Sequence, residues 1–285
     1  MKDVSFRFIK WNLPVFICFT VIVYAVLNTV EKNNKLSTME RLGYQITQQA
    51  ASALETWISD QIKIVKLIAS SPYVISACKS PENAEIVNKA HDFLLSFHNR
   101  FGYYENIPIA LKMPDNKTVE ISVKGKVKNV GNGQFFTDTV KGNTIGKCGP
   151  HFSYIKAIYE NKECFISEVY PSILRGNPIF VISAPVKDEK GNLIGVAVLA
   201  PQMTYFTDLF VKDTKVGQTG YMFFVDDRDM LISHPDTKLI LNKNEIEKIR
   251  PISSQILKGK TEFKAEFDGT RKTFISQKIK IEDPA

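Results

Sequence analysis

The chain has 285 residues, of which 44% are hydrophobic and 24% are charged, and its formal net charge is +7 at pH 7. This composition excludes wholesale disorder, and the length suggests one or two domains. The basic balance would suit nucleic acid, but the lysines are scattered and no nucleic-acid-binding motif accompanies them, so we expect no nucleic-acid partner.

The first element along the chain is an uncharged run at residues 11–30, WNLPVFICFTVIVYAVLNTV. A helix of this length spans about 30 Å, the thickness of a bilayer core, and Trp11 suits the membrane interface. We therefore predict a cytoplasmic stub at 1–10, a transmembrane helix at 11–30 that anchors the chain in the inner membrane, and residues 31–285 on the periplasmic or extracellular side. The alternative is a cleaved signal peptide, although Ala25-Val26-Leu27 matches a cleavage site poorly.

Residues 31–70 are predicted to form one long stalk helix leaving the membrane. Apolar residues recur there at spacings of three and four, which indicates one packed face. Ser71-Pro72 ends the helix, because the residue before a proline disfavours helical backbone. A second helix is predicted at 81–99, with Ser80 as its cap and Pro81 at its first position. The members of the apolar stripe are Ile46, Ala50, Leu54, Ile58, Ile62, Val65 and Ala69.

Strand patterns dominate the next segment. The stretches 107–113 and 118–123 are predicted to pair as neighbouring strands, and residues 124–149 are predicted to be loop. A short helix is predicted at 150–161. Three strands follow in CFISEVYPSI, NPIFVISAPV and LIGVAVLA, and the turn KDEKGN between the last two indicates a hairpin.

The pattern restarts near residue 206. A short connector, two strands in GYMFFVD and MLISHP, a helix at 243–258 and a hairpin about Asp268-Gly269 are predicted. The fold class is therefore α+β, with an antiparallel sheet in each of two modules at 71–205 and 206–285. Since the second module is small and the chain stops just after a strand, we interpret that module as truncated.

No motif in the sequence calls for catalysis, a metal or a cofactor. GNTIGKC at 142–148 is one residue short of a phosphate-binding loop, and no histidine or cysteine ligand cluster is present. A Cys148–His151 nucleophile pair, as in an extracytoplasmic thiol hydrolase, is the enzymatic alternative. His234 is interpreted as a structural residue at a strand end, because Pro235 stops the ladder. A disulfide between Cys148 and Cys164 is left open.

Two stretches resemble a known family. GQTGYMFFVD with LISHPD resembles the signature of the membrane-proximal module of double Cache sensor domains. PHFSYIKAIYENKECFISEVYPSILRGNPIFVISAPVKDEKGNLIGVAVLA resembles the ligand-binding, membrane-distal module. The resemblance covers residues 11–280, and the connector FVKDTKVGQTGY resembles that of methyl-accepting chemotaxis receptors. It implies a transmembrane helix, a stalk helix and two PAS-like antiparallel-sheet modules in series.

The resemblance also implies a function. A small solute would bind in the distal module at 71–205, and the change would pass across the membrane to cytoplasmic signalling partners through a part not in this chain. A homodimer is expected, and the output is expected to be chemotaxis. The alternatives are a histidine kinase, a cyclic-dinucleotide enzyme, or a binding protein without signalling.

Amino-acid-binding members of the family resemble one another in an Arg-x-Trp-Tyr segment, a later Tyr-x-Asp and a final Asp. These correspond here to 149–152, to 170–172 and to a position near Ala200-Pro201, so both acidic positions are lost. The nearby basic groups Lys147, His151 and Arg175 favour a small organic anion such as a carboxylate. The alternative is that the aromatic residues are core and the basic residues are solvated. The predicted ligand-binding residues are Lys147, His151, Phe152, Tyr170 and Ser172.

Overall fold

The computed structural model describes residues 2–123, 126–140 and 143–281, with side chains from residue 19 onward except at 123 and 126. Its helices are α1 (Lys2–Ala69), α2 (Pro72–Lys79), α3 (Ala84–Phe101), α4 (Ser153–Tyr159), α5 (Met203–Phe206) and α6 (Ile246–Leu257). A π-helix at Thr207–Val211 and 3₁₀ turns at Thr237–Leu239 and Lys243–Glu245 complete the helical segments. The strands are β1 (Pro108–Leu111), β2 (Thr118–Val123), β3 (Lys126–Gly131), β4 (Phe135–Asp138), β5 (Phe165–Ile166), β6 (Tyr170–Pro171), β7 (Pro178–Ile179), β8 (Ile182–Lys187), β9 (Leu193–Leu199), β10 (Lys215–Val216), β11 (Gly220–Tyr221), β12 (Phe224–Val225), β13 (Leu231–Ser233), β14 (Glu262–Phe267) and β15 (Thr270–Ile275).

A five-stranded antiparallel sheet with strand order β4-β1-β9-β8-β5 organises the first part of the chain. β8 and β9 form the predicted hairpin, and both pack against α1. The other strands pair as two-stranded antiparallel ladders. The class is mixed helix and antiparallel sheet, as the sequence predicts.

Helix α1 contains the predicted stalk segment and ends at Ala69, one residue short of Ser71-Pro72. Its apolar stripe is buried at Ala50, Leu54, Ile58 and Val65, which cover one face of the sheet. The predicted membrane segment 11–30 also lies in α1, and its side chains at 11–18 fall outside the described ones. Among the described residues, no helix combines the length and hydropathy needed to cross a membrane.

The region between 72 and 149 differs from its prediction. Helix α3 begins at Ala84, because the side chain of Asn83 accepts hydrogen bonds from the amides of Glu85 and Ile86 and caps it in place of Ser80. Strand β2 pairs with β3 and not with β1, and the predicted loop 124–149 contains β3 and β4. Helix α2 was not predicted. The lysine-rich β3 lacks the apolar alternation by which strands are recognised.

The C-terminal segment, residues 206–281, contains the predicted hairpin β14–β15. Asp268 and Gly269 have φ of 49° and 68°, as a two-residue type I′ turn requires. Helix α6 packs on β14. In the described part of this segment the strands form three separate ladders, β10–β11, β12–β13 and β14–β15, where one antiparallel sheet was expected.

Candidate functional site

The candidate site lies on the face of the five-stranded sheet that points away from α1. Successive strand residues point to opposite faces, so Ile109 and Leu111 pack toward α1 while Ala110 points away from it. Helix α4 covers this second face, which we call the α4 face. Its buried apolar members are Ala110, Phe135, Ile155, Ile158, Ile179, Val181, Val196, Val198 and Ala200.

Four partly buried side chains with polar groups pack against the α4 face, namely Cys148, Tyr154, Tyr159 and Tyr170. The Tyr159 hydroxyl already donates to Asn132 Oδ1 over 2.8 Å, which leaves the groups of Cys148, Tyr154 and Tyr170. The Cys148 thiol donates to Tyr154 Oη over 3.4 Å. Burial raises the pKa of Cys148, and hydrogen bonding with Tyr154 opposes that rise only in part. Burial also raises the pKa of Tyr154, and that of Tyr170 to about 12, with Cys148 adding to both. At neutral pH these groups are therefore uncharged and can donate or accept hydrogen bonds.

The loop carrying Cys148 is tied to the sheet edge. The Phe135 amide donates to the Lys147 carbonyl over 3.0 Å, and the Gly146 amide donates to the Phe135 carbonyl over 2.8 Å. Gly133 stands where a Cβ would lie 2.6 Å from the Pro150 nitrogen, so only glycine fits there. The loop position is thus fixed by backbone contacts with β4.

Three of the predicted site residues, Lys147, His151 and Phe152, are exposed, and along the chain they flank Cys148 and Tyr154. The ring centroids of His151 and Phe152 are 4.7 Å apart, and those of Phe152 and Tyr154 are 5.8 Å apart. These rings form a continuous aromatic edge that leads from solvent to the Cys148 thiol. The structure therefore brings the two predicted rings together with Tyr154, which the sequence analysis missed.

The other two predicted residues have different surroundings. Tyr170, in β6, is half-buried against the α4-face cluster. Ser172 is buried, and its hydroxyl donates to Glu105 Oε1 over 2.8 Å. Its hydroxyl proton is therefore already engaged inside the protein.

Glu105 is the centre of a buried polar network beside β6. Its side chain is 0% exposed and its carboxylate accepts hydrogen bonds from four side chains. Arg175 Nε lies 3.1 Å from Oε1, and Gln202 Nε2 lies 3.0 Å from Oε2. The Arg175 guanidinium also donates to the Glu105 carbonyl over 3.0 Å. The donors to the carboxylate are Ser172, Arg175, Asn177 and Gln202.

A second buried carboxylate, Asp138, ends strand β4. It accepts hydrogen bonds from Asn106 Nδ2 over 2.8 Å and from the Thr144 hydroxyl. Burial nevertheless raises its pKa, against the effect of these donors. His91 Nδ1 lies 3.0 Å from the Asp138 carbonyl and His98 Nδ1 lies 2.9 Å from Thr139 Oγ1. Both histidines of α3 thus anchor that helix to the end of β4.

The geometry gives the thiol hydrolase alternative no support. The Cys148 thiol donates to Tyr154 Oη and to the Gly149 carbonyl and makes no hydrogen bond with His151, and its raised pKa disfavours a nucleophilic thiolate. Cys148 is a free thiol, so the bridge to Cys164 is not formed. Across the described residues, no group of three or more histidine, cysteine or acidic side chains is placed to hold a metal ion.

His234 lies directly after β13 and is buried. Its Nδ1 accepts a hydrogen bond from the Asp236 amide over 2.9 Å, and the Asp236 carboxylate caps the next turn at the Lys238 amide. Burial lowers the pKa of His234. The strand-end role predicted for this residue therefore agrees with its contacts.

Sequence reasoning missed Tyr154 and Glu105. Tyr154 lies in the predicted short helix, two residues after Phe152. Its closeness to a predicted site residue could have marked it as a candidate. Glu105 carried no local signal, because its partners lie between 67 and 97 residues away along the chain.

Comparison with known proteins agrees with this architecture. The model of the Cache domain family matches residues 29–283. The chain is also similar to the ligand-binding domain of the Pseudomonas aeruginosa amino-acid chemoreceptor PctC, solved with GABA, at 19% identity and a TM-score of 0.56, covering 83% of this chain and 90% of that one.

Two further solved domains are similar. The extracellular domain of the putative histidine kinase mmHK1S-Z2 has 14% identity and a TM-score of 0.57, covering 86% of this chain and 94% of that one. The sensory domain of the Campylobacter jejuni chemoreceptor Tlp3, with isoleucine bound, has 14% identity and a TM-score of 0.56, covering 85% and 89%. At these identities the likeness establishes a shared fold. A comparison with curated protein sequences gives no match.

Proposed function

Since this chain belongs to the Cache domain family, we propose that it is the extracytoplasmic small-molecule sensor of a transmembrane signalling receptor. The solute binds on the α4 face, within a distal module at 71–205, and a proximal module at 206–285 continues the path toward the membrane. Residues 11–30 anchor the chain in the inner membrane, and the receptor acts as a homodimer.

The observation that carries the binding proposal is the composition of the α4 face. An apolar floor on a rigid sheet carries three uncharged polar groups, Cys148, Tyr154 and Tyr170, beside an exposed aromatic edge. Small-molecule sites combine a largely apolar lining with a few fixed polar groups that orient the ligand. The exposed basic side chains of Lys147 and His151 flank this face along the chain and add hydrogen-bond donors that suit an anion.

The charges favour an organic anion over an α-amino acid. A bound ammonium group needs an acidic partner inside the site. By the resemblance to amino-acid-binding members, their acidic positions fall at Ser172 and near Ala200-Pro201 in this chain. The adjacent carboxylate of Glu105 is already paired with Arg175 and three neutral donors. The similarity to domains solved with GABA and isoleucine makes amino acids the competing class.

Chemotaxis is the output we propose, on the resemblance of the connector at 210–221 and the similarity to chemoreceptor sensory domains. A histidine kinase is the second candidate, favoured by the similarity to the mmHK1S-Z2 extracellular domain. The cytoplasmic domain that follows in the receptor distinguishes the two.

A thermal-shift screen of the purified chain against organic acids, amino acids, amines and purines tests the proposal. A specific solute stabilises the native state by about 2.7 kcal/mol at roughly a hundredfold excess over its Kd. We expect a shift with a carboxylate that is lost in Lys147→Ala and His151→Ala and kept in Lys156→Ala, which removes an exposed lysine from α4. Stabilisation by amino acids alone would overturn the anion assignment, and no shift from any solute would contradict direct sensing.

A further inference from the structure

The turn between β12 and β13 projects a rigid arginine. The Asp226 carboxylate accepts hydrogen bonds from the Arg228 and Met230 amides, each over 3.0 Å. The same carboxylate holds the Arg228 side chain through Nε at 2.8 Å and Nη2 at 2.5 Å. The backbone closes the turn with the Asp226 amide donating to the Met230 carbonyl over 3.0 Å. Arg228 is thus fixed along both its backbone and its side chain.

This arginine reaches out of the C-terminal segment to the strand that carries Tyr170. Arg228 Nη2 donates to the Val169 carbonyl over 2.8 Å, and Nη1 lies 2.9 Å from Glu168 Oε1. Glu168 and Val169 directly precede Tyr170, and Val169 is buried. The Arg228 side chain is 36% exposed, so solvent screens its pair with the exposed Glu168 more than its hydrogen bond to the carbonyl of the buried Val169.

The other side of Tyr170 is also held. Tyr170 and Pro171 pair with Ile179 and Pro178, and Ile179 bridges to Gln202 at the start of α5. Gln202 in turn donates to Glu105, the carboxylate that receives the Ser172 hydroxyl. The short ladder β6–β7 is therefore bound at one end to Arg228 and at the other to the segment leading into α5.

We propose that Arg228 is a positioning residue that sets Tyr170 on the α4 face and couples its movement to the turn at 226–230. The inference rests on the proposed function in that Tyr170 contacts the solute. Arginine suits the role because its planar group donates to Asp226, Val169 and Glu168 at once, which a lysine ammonium cannot do with this geometry. A solute that favours one position of Tyr170 then favours one arrangement of the C-terminal segment.

Hydrogen–deuterium exchange of the full chain tests the coupling without a ligand. We expect Tyr170→Ala to speed exchange of the amides at 226–231 by roughly fivefold or more, the lower end of typical coupling between sites. Exchange at 193–199 in β9 serves as the internal reference. In the Arg228→Gln background the response to Tyr170→Ala is lost.

Arg250→Gln is the matched control, since Arg250 Nε pairs with Asp229 of the same turn over 3.2 Å and its Nη1 pairs with Glu247, both within the C-terminal segment. The response is expected to survive in that background. Arg228→Lys keeps the positive charge but is also expected to lose the response, which distinguishes positioning by the guanidinium from simple charge compensation. It also replaces Arg228→Gln as the test variant if Arg228→Gln folds poorly.

A response that survives in both Arg228 variants, or that is lost equally in Arg250→Gln, would overturn the inference. Because no solute enters this experiment, its failure leaves the binding proposal standing. A negative solute screen likewise leaves the coupling result unaffected.

Discussion

Replacing Arg175 by alanine is expected to destabilise the protein although half of the arginine side chain is in solvent. Arg175 supplies the one cationic group among the four side chains that donate to the Glu105 carboxylate. It also donates to the Glu105 carbonyl. The substitution therefore leaves a fully buried carboxylate without its counter-charge.

The magnitude lies between two limits. Breaking a fully buried ion pair costs about 3–5 kcal/mol, whereas an exposed pair contributes about 0–1 kcal/mol. The Glu105 side chain is 0% exposed and that of Arg175 is 54% exposed, and three neutral donors remain on the carboxylate. We therefore expect a loss of about 2 kcal/mol in the free energy of unfolding. In a Glu105→Gln background, in which residue 105 carries no charge, the same substitution is expected to cost about 1 kcal/mol less.

Urea unfolding followed by circular dichroism measures these differences. The matched control is Lys187→Ala, which removes an ion pair between Lys187, whose side chain is 44% exposed, and Glu163, whose side chain is 52% exposed. This substitution is expected to cost less than about 1 kcal/mol. If Arg175→Ala costs no more than Lys187→Ala, the reasoning about the buried carboxylate is refuted.

Three further outcomes are expected. Gly195→Ala places a Cβ 2.7 Å from Cys78 Sγ and 2.8 Å from the Ala110 carbonyl oxygen. We expect the free energy of unfolding, measured in urea, to fall by about 1–3 kcal/mol. An unchanged free energy would contradict the close packing. Because burial raises the pKa of Cys148, its alkylation rate is expected to rise with pH at a midpoint above the pKa of an ordinary thiol. Tyr154→Phe removes a hydrogen bond that lowers this pKa, so the midpoint is expected to move higher. A midpoint at or below the pKa of an ordinary thiol argues against the assigned burial. Burial lowers the pKa of His234, so as the pH falls the unfolded chain takes up this proton before the folded protein does, and stability falls below pH 6.5. The slope of unfolding free energy against pH is therefore expected to be smaller in His234→Asn. An unchanged slope in this variant would contradict the assigned burial of His234.

Local rules predicted the elements whose cause is local. Helix α1 stops before Pro72 because proline restricts the residue ahead of it, and the β14–β15 hairpin turns at Asp268-Gly269 because both residues tolerate positive φ. The start of α3 was misplaced because Asn83, three residues after Ser80, offers the better-placed capping oxygen. When two possible capping residues lie close together in the sequence, only the backbone geometry determines which of them caps the helix.

Non-local pairing was the harder problem. The sequence indicated β2 as a strand but not its partner β3, whose lysines hide the alternation. The same holds for the site. Tyr170 was named from a resemblance, whereas the link from Arg228 to Val169 joins residues 59 positions apart and has no sequence signature. Proximity of this kind follows only once the sheet has brought the segments together.

Protection of Cys148 from alkylation is the sharpest test of whether a small solute binds on the α4 face. The chain carrying Cys18→Ser is alkylated with N-ethylmaleimide, with and without the carboxylate selected by thermal shift; Cys78 and Cys164 are buried and Cys148 is partly exposed. At roughly a hundredfold excess over Kd, we expect alkylation of Cys148 to slow by about two orders of magnitude, as the free site is depleted. A solute that stabilises the protein while Cys148 reacts at its original rate would place the binding site elsewhere than the α4 face.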